Sequence, residues 1–423
     1  MTDGATSLVT EEVSPQTPRP VRLPPMFGAL RYPDYRNLWI GMLVGNIGSW
    51  IKMVAQGWLV YTLTDSPFYL GLVGFARAVP VLLLTPVTGV LADRLDRRWL
   101  MLAGTLITSV AAAILAILTL TGLIQVWHIL VLAVLGAVGQ SLEMPSRQSL
   151  VPEMVERKDL VNAIALGATA FNAAGVIGPA IAALIIETVG IGAAFVVSAV
   201  SNAGVALALL TMRPVRQHAR TAASFFETLV EGLHYIRQTP AVFGLMSLMV
   251  VFAMLGRPYV ELMPVFAKDV LGMGASGLGL LSAAVGFGSM IGSAAVAMLG
   301  SFRRKGLIVM GSSMVFVFLL IGFAQSTWAP LSFIIAPVLG FFTLFYMVGT
   351  NTLIQASVPG ELRGRVASIY GLIQLGLMPL GMMIEGTIGS LIGVPLTVTL
   401  GGLVILLTAS TGLLRIPSLR RLE

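Results

Sequence analysis

Long apolar stretches alternate with short polar ones along almost the whole chain. Each apolar stretch reaches about 20 residues, enough for a helix to cross a bilayer core of about 30 Å. The apolar character is continuous and lacks the alternation of barrel strands, so membrane-spanning helices are predicted. The twelve predicted spans are 37–62, 69–92, 100–122, 127–149, 160–187, 191–212, 242–268, 276–299, 306–325, 328–356, 366–392 and 394–415.

The longest polar break, 213–241, divides the spans into two sets of six. Its stretch SFFETLVEGLHYIRQTP has Ser224 and Glu227 at the spacing of a helix capping box, followed by apolar residues at helical intervals. This pattern predicts an amphipathic helix on the cytoplasmic membrane surface, with an ordinary linker helix as the alternative. The predicted parts are a polar cytoplasmic segment (1–36), a six-helix bundle (37–212), the linker (213–241), a second six-helix bundle (242–415) and a cytoplasmic tail (416–423).

The two halves resemble each other in sequence. DRRWLM at 96–101 corresponds to RRKGLIVM at 303–310, and QSLVPEM at 148–154 corresponds to QASVPGE at 355–361. Both correspondences use the same offset of 207 positions. Six spans per half is an even number, so both halves enter the membrane from the same side. This predicts a parallel repeat with a pseudo-twofold axis along the membrane normal and a cavity between the bundles.

Charge sets the orientation of the spans. Only 11% of residues are charged, against about 25% in soluble domains, so the chain is a multi-pass membrane protein. If the N-terminus is cytoplasmic, 22 of the 26 Lys and Arg residues lie in cytoplasmic segments. The positive-inside rule therefore predicts that both termini are cytoplasmic, in the plasma membrane. The net charge of +7 is explained by basic loops facing anionic lipid, and a nucleic-acid partner is not expected.

The stretch GVLADRLDRRWLM at 89–101 resembles the loop 2–3 signature of the major facilitator superfamily, with Asp96 in place of the usual glycine. Together with YRNLWIGMLVGNIGSW, MPSRQSLVPEMV and RGRVASIYG, it resembles the enterobactin-exporter and macrolide-efflux-like branch, the transmembrane secretion effectors. This resemblance implies an all-α fold of twelve transmembrane helices in two six-helix bundles, acting as a monomer. The gating residues that it implies in loop 2–3 are Gly89, Asp93, Arg94, Arg97 and Arg98.

The resemblance gives Gly89 and Asp93 specific roles. Cytoplasmic anchoring alone explains Arg94, Arg97 and Arg98, but it does not explain a glycine and an aspartate one helical turn apart. In the family, the glycine lets span 11 approach closely. The resemblance implies that Asp93 meets the positive end of that helix and Arg97, forming a latch that closes the cytoplasmic side.

The resemblance also indicates further sites. The span 5 stretch AAGVIGPAIAA keeps Gly178 and Pro179 of a pattern typical of exporters, which implies a helix bend, with simple packing as the alternative. At the cytoplasmic mouth the repeat-related gating candidates are Glu143, Arg147, Arg363 and Arg365. On the spans that line the cavity of this fold, the candidate lining residues are Asn46, Trp50, Gln56, Gln140, Tyr259, Tyr346 and Asn351.

Ionisable residues within spans are the strongest functional candidates, because each costs at least about 2.5–3.5 kcal/mol at the bilayer centre. Arg257 and Glu261 are one helical turn apart beside Pro258, and we expect them to form a pair. A structural bridge that closes the outer side and a role in substrate or proton handling are both open. The five candidates are Lys52, Arg77, Arg257, Glu261 and Glu385.

These observations predict a secondary active transporter that exports a small amphiphilic molecule by alternating access. No nucleotide-binding pattern occurs, so ATP is excluded as the energy source. The resemblance implies proton antiport, with Glu261, Glu385 and Glu143 as candidate carriers in that order. An uptake symporter, or a non-transporting scaffold or receptor, is the alternative. Catalytic patterns are absent, so we expect no enzyme activity, and neither a metal site nor a cofactor is predicted.

Overall fold

A computed structural model describes residues 25–212, 225–301 and 304–420. Within these ranges the chain is helical and crosses the membrane twelve times, as predicted. Nine of the described spans are single helices: Pro33–Thr64 (span 1), Pro67–Arg94 (span 2), Arg97–Leu120 (span 3), Val126–Met154 (span 4), Leu160–Thr188 (span 5), Ile191–Thr211 (span 6), Lys305–Gln325 (span 9), Ala329–Ser357 (span 10) and Val394–Arg415 (span 12).

Three spans change helix type along their length. In spans 7 and 11, Pro258, Pro264 and Pro379 lie in or beside the irregular turns. A proline removes a backbone donor, and neighbouring helices tolerate the resulting irregular turn. Span 7 consists of Pro240–Leu255, a 3₁₀ turn Pro258–Val260, a short turn Met263–Val265 and a π-helical end Phe266–Val270. Span 8 is Ala275–Ala295 followed by the 3₁₀ helix Val296–Ser301, and span 11 is Gly360–Leu372, the π-helix Ile373–Leu377 and Met378–Ile392.

Four short helices lie outside the spans: Pro25–Arg31, Arg157–Asp159, Phe225–Gln238 and Pro417–Arg420. The helix Pro25–Arg31 and the turn between spans 2 and 3 lie on one side of the molecule, which we call the N-terminal face. The turn between spans 1 and 2 lies on the other side, the opposite face.

The helix contacts repeat between the two halves. In the first half span 1 packs against spans 5 and 6, span 3 against spans 4 and 6, and span 2 against span 4. In the second half the same contacts recur six spans later, between 7 and 11, 7 and 12, 9 and 10, 9 and 12, and 8 and 10. The fold is therefore two pseudo-symmetric six-helix bundles.

Two symmetry-related contacts join the bundles, spans 5 and 8 and spans 2 and 11. Glycines allow the backbones to approach closely at both. A Cβ atom at Gly286 would collide with the carbonyl of Gly175, and one at Gly71 would collide with the carbonyl of Met382. These contacts hold the bundles together beside the space between them.

The turn between spans 2 and 3 is shorter than predicted. Span 2 stays helical through Arg94 and span 3 begins at Arg97, so only two residues separate them. The Asp96 carboxylate accepts a hydrogen bond of 2.9 Å from the backbone N–H of Arg98. An aspartate at this position caps the N-terminus of span 3, which a glycine could not do through a side chain.

The linker contains the helix Phe225–Gln238, which packs on the start of span 11. A Cβ atom at Gly232 would lie 2.7 Å from Ile369 Cδ1, and Glu231 forms an ion pair with Arg365. Val230 and Leu233 are exposed. Residues 213–224 and the side chains of 225–229, including most of the predicted capping box, lie outside the described residues.

Candidate functional site

A cavity of about 200 Å³ lies between the two bundles. Spans 1 and 5 form one wall, and spans 7, 8 and 10 form the other. Its lining is mainly apolar and aromatic, with a few hydroxyl, amide and charged groups. The lining residues are Trp50, Met53, Val54, Gly57, Phe171, Asn172, Gly175, Arg257, Tyr259, Val260, Glu261, Met263, Pro264, Leu278, Ser282, Val285, Gly286, Ser289, Thr343 and Leu344.

The irregular part of span 7 places charged side chains in this cavity. The first helix of the span ends at Leu255, and Pro258 begins a 3₁₀ turn. Arg257 and Glu261 flank this turn, and both line the cavity. Unwound turns in the middle of transporter spans are typical of substrate and ion sites.

Glu261 pairs with Arg77 of span 2, not with Arg257 as the sequence analysis predicted. Arg77 Nη2 donates a hydrogen bond of 2.7 Å to Glu261 Oε1, with the two side chains 31% and 18% exposed. The prediction assumed a regular α-helix, in which residues four apart share a face. The turn after Arg257 is 3₁₀, so this spacing no longer applies. The observed pair joins the two bundles.

Two further contacts cross between the bundles near the opposite face. Lys268 at the end of span 7 forms an ion pair with Asp65 at the end of span 1. The Tyr61 hydroxyl donates a hydrogen bond to the Asp269 carboxylate, and Lys268 Nζ lies 5.3 Å from the centre of the Tyr61 ring. Sequence reasoning missed these residues, although the 207-position offset relates Tyr61 to Lys268. Together with the Arg77–Glu261 pair, they join the two bundles toward the opposite face.

Arg257 has no acidic hydrogen-bond partner among the described side chains. Its Nη1 donates to the sulfur of Met347 at 3.3 Å, and its Nε is buried without a hydrogen-bond partner. A thioether is a weak acceptor that carries no compensating charge. Arg257 therefore brings to the cavity wall a cation that forms no direct ion pair with a described carboxylate, although the charge of Glu261 acts on it through space.

Lys52 lies inside the first bundle, away from the cavity wall. Its Nζ lies 3.7 Å from the position a Cβ atom would take at Gly136, on span 4. The charges of Arg77 and Glu143 act on it through space.

Glu385 is buried beside span 12. It is 1% exposed, and neither carboxylate oxygen has a hydrogen-bond partner among the described residues. A Cβ atom at Gly401 would lie 3.2 Å from its Oε1. An ionised carboxylate without partners is strongly disfavoured in such apolar surroundings.

Two of the seven predicted lining residues, Trp50 and Tyr259, lie in the cavity wall. Tyr346 is fully buried within the second bundle, with its ring 4.5 Å from that of Phe252. The remaining four predicted residues lie off this wall as well: Gln56 is buried, Asn46 is half-buried, Gln140 is exposed, and Asn351 accepts a hydrogen bond from Gln355.

Sequence reasoning missed Phe171 and Asn172 on span 5 and Ser282 and Ser289 on span 8. Lining residues were expected on spans 1, 4, 7 and 10. The close contact between spans 5 and 8 brings these two helices to the cavity as well. Asn172, a polar residue within the apolar span 5, was the available signal in the sequence.

The loop 2–3 residues bind the ends of the first bundle to one another. Arg97 is buried and forms an ion pair with Glu153 at the end of span 4, a partner not predicted from sequence. Arg98 Nη2 donates a hydrogen bond of 2.7 Å to the carbonyl of Leu210 on span 6, and Arg94 is exposed. The side chain of Asp93 lies outside the described residues, so its contact with Arg97 stays a prediction.

Gly89 faces open space. No described atom lies within 4 Å of the position that its Cβ would take. The close approach of span 11 predicted for this glycine is therefore not made in this conformation. Spans 2 and 11 meet nearer the opposite face, at Gly71 and Gly74 against Met382.

The predicted mouth residues fall into separate groups. Glu143 and Arg147 lie on span 4, where the charges of Arg147 and Lys52 both act on the Glu143 carboxylate. Arg363 is exposed at the start of span 11, and Arg365 pairs with Glu231 of the linker helix. Of these four residues, Glu143 feels the charge of Lys52, and Arg365 contacts the linker helix.

The predicted bend at Gly178 and Pro179 does not interrupt span 5, which stays helical from Leu160 to Thr188. A Cβ atom at Gly178 would lie 2.5 Å from the Cβ of Trp50. Gly178 therefore allows close packing of spans 1 and 5 and helps to set the position of Trp50 in the cavity wall.

The chain is similar to known efflux proteins over most of its length. It is 23% identical to macrolide efflux protein A of Streptococcus pyogenes, covering 89% of this chain and 94% of that protein. It is 26% identical to the multidrug efflux pump Tap of Mycolicibacterium fortuitum, covering 90% of this chain and 95% of that protein.

Solved structures share the fold. A bacterial homologue of the human lysosomal transporter Spinster, in an inward-facing and unoccupied conformation, matches with a TM-score of 0.73 at 15% identity, over 93% of this chain and 98% of that one. The family model for transmembrane secretion effectors matches residues 25–422. The prediction of a transporter and not an enzyme is confirmed, and the chain belongs to the transmembrane secretion effector family.

Proposed function

We propose that this transporter exports small amphiphilic molecules from the cytoplasm by alternating access. The observation that carries the proposal is the central cavity, bounded by both bundles and lined by aromatic, apolar and a few polar side chains. The amphiphile would bind between Trp50 and Tyr259, with its polar groups on the irregular part of span 7. The names of the efflux relatives support the direction of transport.

The N-terminal face is the cytoplasmic side in this proposal. The loop 2–3 arginines, Arg94, Arg97 and Arg98, lie there, in agreement with the positive-inside rule. The opposite face would then be extracellular and closed by the contacts around Arg77 and Glu261. Open space around Gly89 supports a conformation open to the cytoplasm, with the loop 2–3 latch disengaged.

Proton antiport is the proposed source of energy. One proton moving inward across 100 mV supplies about 2.3 kcal/mol, and a tenfold gradient of a neutral solute requires about 1.4 kcal/mol. Glu385 is the foremost carrier, because its buried carboxylate has no hydrogen-bond partner among the described residues. Glu261 is already engaged by Arg77, so its protonation would release the bridge between the bundles instead.

The test uses everted membrane vesicles and three fluorescent probes with one scaffold: 1-pyrenebutanoate, 1-pyrenebutanol and 1-pyrenebutylammonium. Weak acids and bases also redistribute passively across a pH gradient, so accumulation is measured against vesicles that lack the protein. Relative to those vesicles, an antiporter accumulates at least one probe when the vesicle interior is acidic, and dissipating the gradient releases that probe. An uptake symporter accumulates the probe in right-side-out vesicles with an acidic exterior. A scaffold or receptor gives neither accumulation nor counterflow with any of the three, and that result would refute the proposal.

A further inference from the structure

The charges around the cavity do not balance. Among the described residues, its ionisable lining groups are Arg257 and Glu261. Glu261 is compensated by Arg77, at 2.7 Å. The carboxylate that could have neutralised Arg257 is therefore occupied by another cation.

The hydrogen bonds of Arg257 leave part of its guanidinium without a partner. Its one hydrogen bond in the described residues goes to a methionine sulfur at 3.3 Å, and its Nε is buried without a partner. Thr343 and Ser289 also line the cavity; their hydroxyls donate to the carbonyls of Leu339 and Gly340, and neither hydroxyl oxygen accepts a hydrogen bond from Arg257. A guanidinium whose Nε is buried without a partner is costly until an acceptor such as an oxyanion binds it.

We propose that the transported amphiphiles carry a carboxylate or a comparable oxyanion, and that Arg257 is the residue that recognises it. This inference rests on the proposed function and names the substrate class of the same cavity. A planar guanidinium presents two parallel N–H donors to such a group. A cationic substrate would meet Arg257 as a like charge, with Glu261 already paired.

The rest of the wall suits the apolar part of such a molecule. Trp50 and Phe171 pack against each other with ring centres 5.9 Å apart, and both line the cavity across from span 7. Asn172 and Ser282 add one amide and one hydroxyl. The cavity, of about 200 Å³ and partly open, accommodates an aromatic ring system with a short acidic arm.

Binding is tested with the full-length protein in lipid nanodiscs, using energy transfer from tryptophan to pyrene. Wild-type protein should bind 1-pyrenebutanoate more tightly than 1-pyrenebutanol, which differs only at the charged end. Arg257→Gln should weaken binding of the butanoate by about tenfold or more and leave the butanol unchanged, since a charged hydrogen bond is lost. Arg257→Lys keeps the charge and should restore part of the affinity.

Lys158→Gln is the matched control, because it removes one positive charge from an exposed surface ion pair. Equal affinity of the wild type for the two probes, or equal losses for both probes in Arg257→Gln, would overturn the inference. Thermal unfolding of each variant identifies any that misfold. If Arg257→Gln misfolds, the affinities of wild type and Arg257→Lys for the two probes test the inference instead. Transport of the butanol alone, driven by a pH gradient, would refute the substrate class and leave the proposed function standing.

Discussion

The Arg77–Glu261 bridge provides the most direct test of how the two bundles move. Glu261→Gln removes the charge and keeps the size of the side chain. In the wild type this pair joins span 2 to span 7 at 2.7 Å and holds the opposite face closed. Without this ion pair, we expect a larger fraction of the molecules to adopt conformations that are open on the opposite face and closed on the N-terminal face.

The size of the shift follows from the burial of the pair. A hydrogen bond between charged groups contributes about 1.5–3 kcal/mol. Partial exposure of Arg77 and Glu261, at 31% and 18%, lowers this to about 1–2 kcal/mol. Removing the bridge should therefore change the ratio of the two conformations by roughly 5–30-fold, which is measurable as two populations of distances.

The assay is pulsed electron spin resonance between pairs of spin labels. The chain contains no cysteine, so introduced cysteines are the only labelling sites. Leu63→Cys with Gly274→Cys reports on the opposite face, because Leu63 is exposed and a Cβ atom at Gly274 meets no described atom within 4 Å. Gly167→Cys with Gly364→Cys reports on the N-terminal face, because a Cβ atom at either position also meets no described atom within 4 Å.

Glu261→Gln should lengthen the first distance and shorten the second. The exchange of charges in Arg77→Glu with Glu261→Arg should return the distances toward those of the wild type, as a coupled pair requires. Lys268→Gln is the control, and it should have a smaller effect because its partner Asp65 is 74% exposed. Identical distance distributions in wild type and Glu261→Gln would refute the gating role.

Three other predictions test separate parts of the molecule. Glu385→Gln should abolish probe accumulation driven by a pH gradient while leaving counterflow at the wild-type rate; loss of both would argue for a structural role. Gly89→Val should leave the melting temperature unchanged, since its Cβ would meet no described atom. It should still lower the transport rate, because span 11 could no longer approach span 2 closely. A wild-type transport rate in this variant would contradict the proposed latch. Gly288→Val should destabilise the protein by about 1–3 kcal/mol, measured by thermal unfolding, because its Cβ would collide with the carbonyl of Pro337 on span 10.

The spans and their repeat could be predicted because each rests on properties summed over many residues. Twenty apolar residues in succession leave few alternatives to a membrane helix. The recurrence of Gln148 as Gln355 and Pro152 as Pro359 fixed the relation between the halves. Helix ends were less accurate: span 4 extends to Met154 and span 11 starts at Gly360, because charged and proline-containing turns remain helical beyond the apolar core.

Individual contacts were harder to predict because they depend on the conformation and on neighbouring helices. Gly89 was expected to touch span 11, and the structure is open at that point. Arg97 was expected to act through Asp93, yet it also pairs with Glu153, which is 56 positions away. No pattern within one helix indicates such a partner. Trp50 and Tyr259 line the cavity, whereas Tyr346, an aromatic residue in the middle of span 10, packs against Phe252 inside the second bundle.

Span 7 shows how a local change of backbone determines the charge of the whole site. In an α-helix, residues four apart lie about 40° apart around the axis, whereas a 3₁₀ turn separates them by about 120°. The first geometry would pair Arg257 with Glu261 and leave the cavity neutral. The 3₁₀ turn at Pro258–Val260 instead frees Glu261 to bind Arg77 on the other bundle. One irregular turn thus produces both a bridge that closes the opposite face and an unpaired cation for an anionic substrate, so a variant that restored a regular helix here should lose both together.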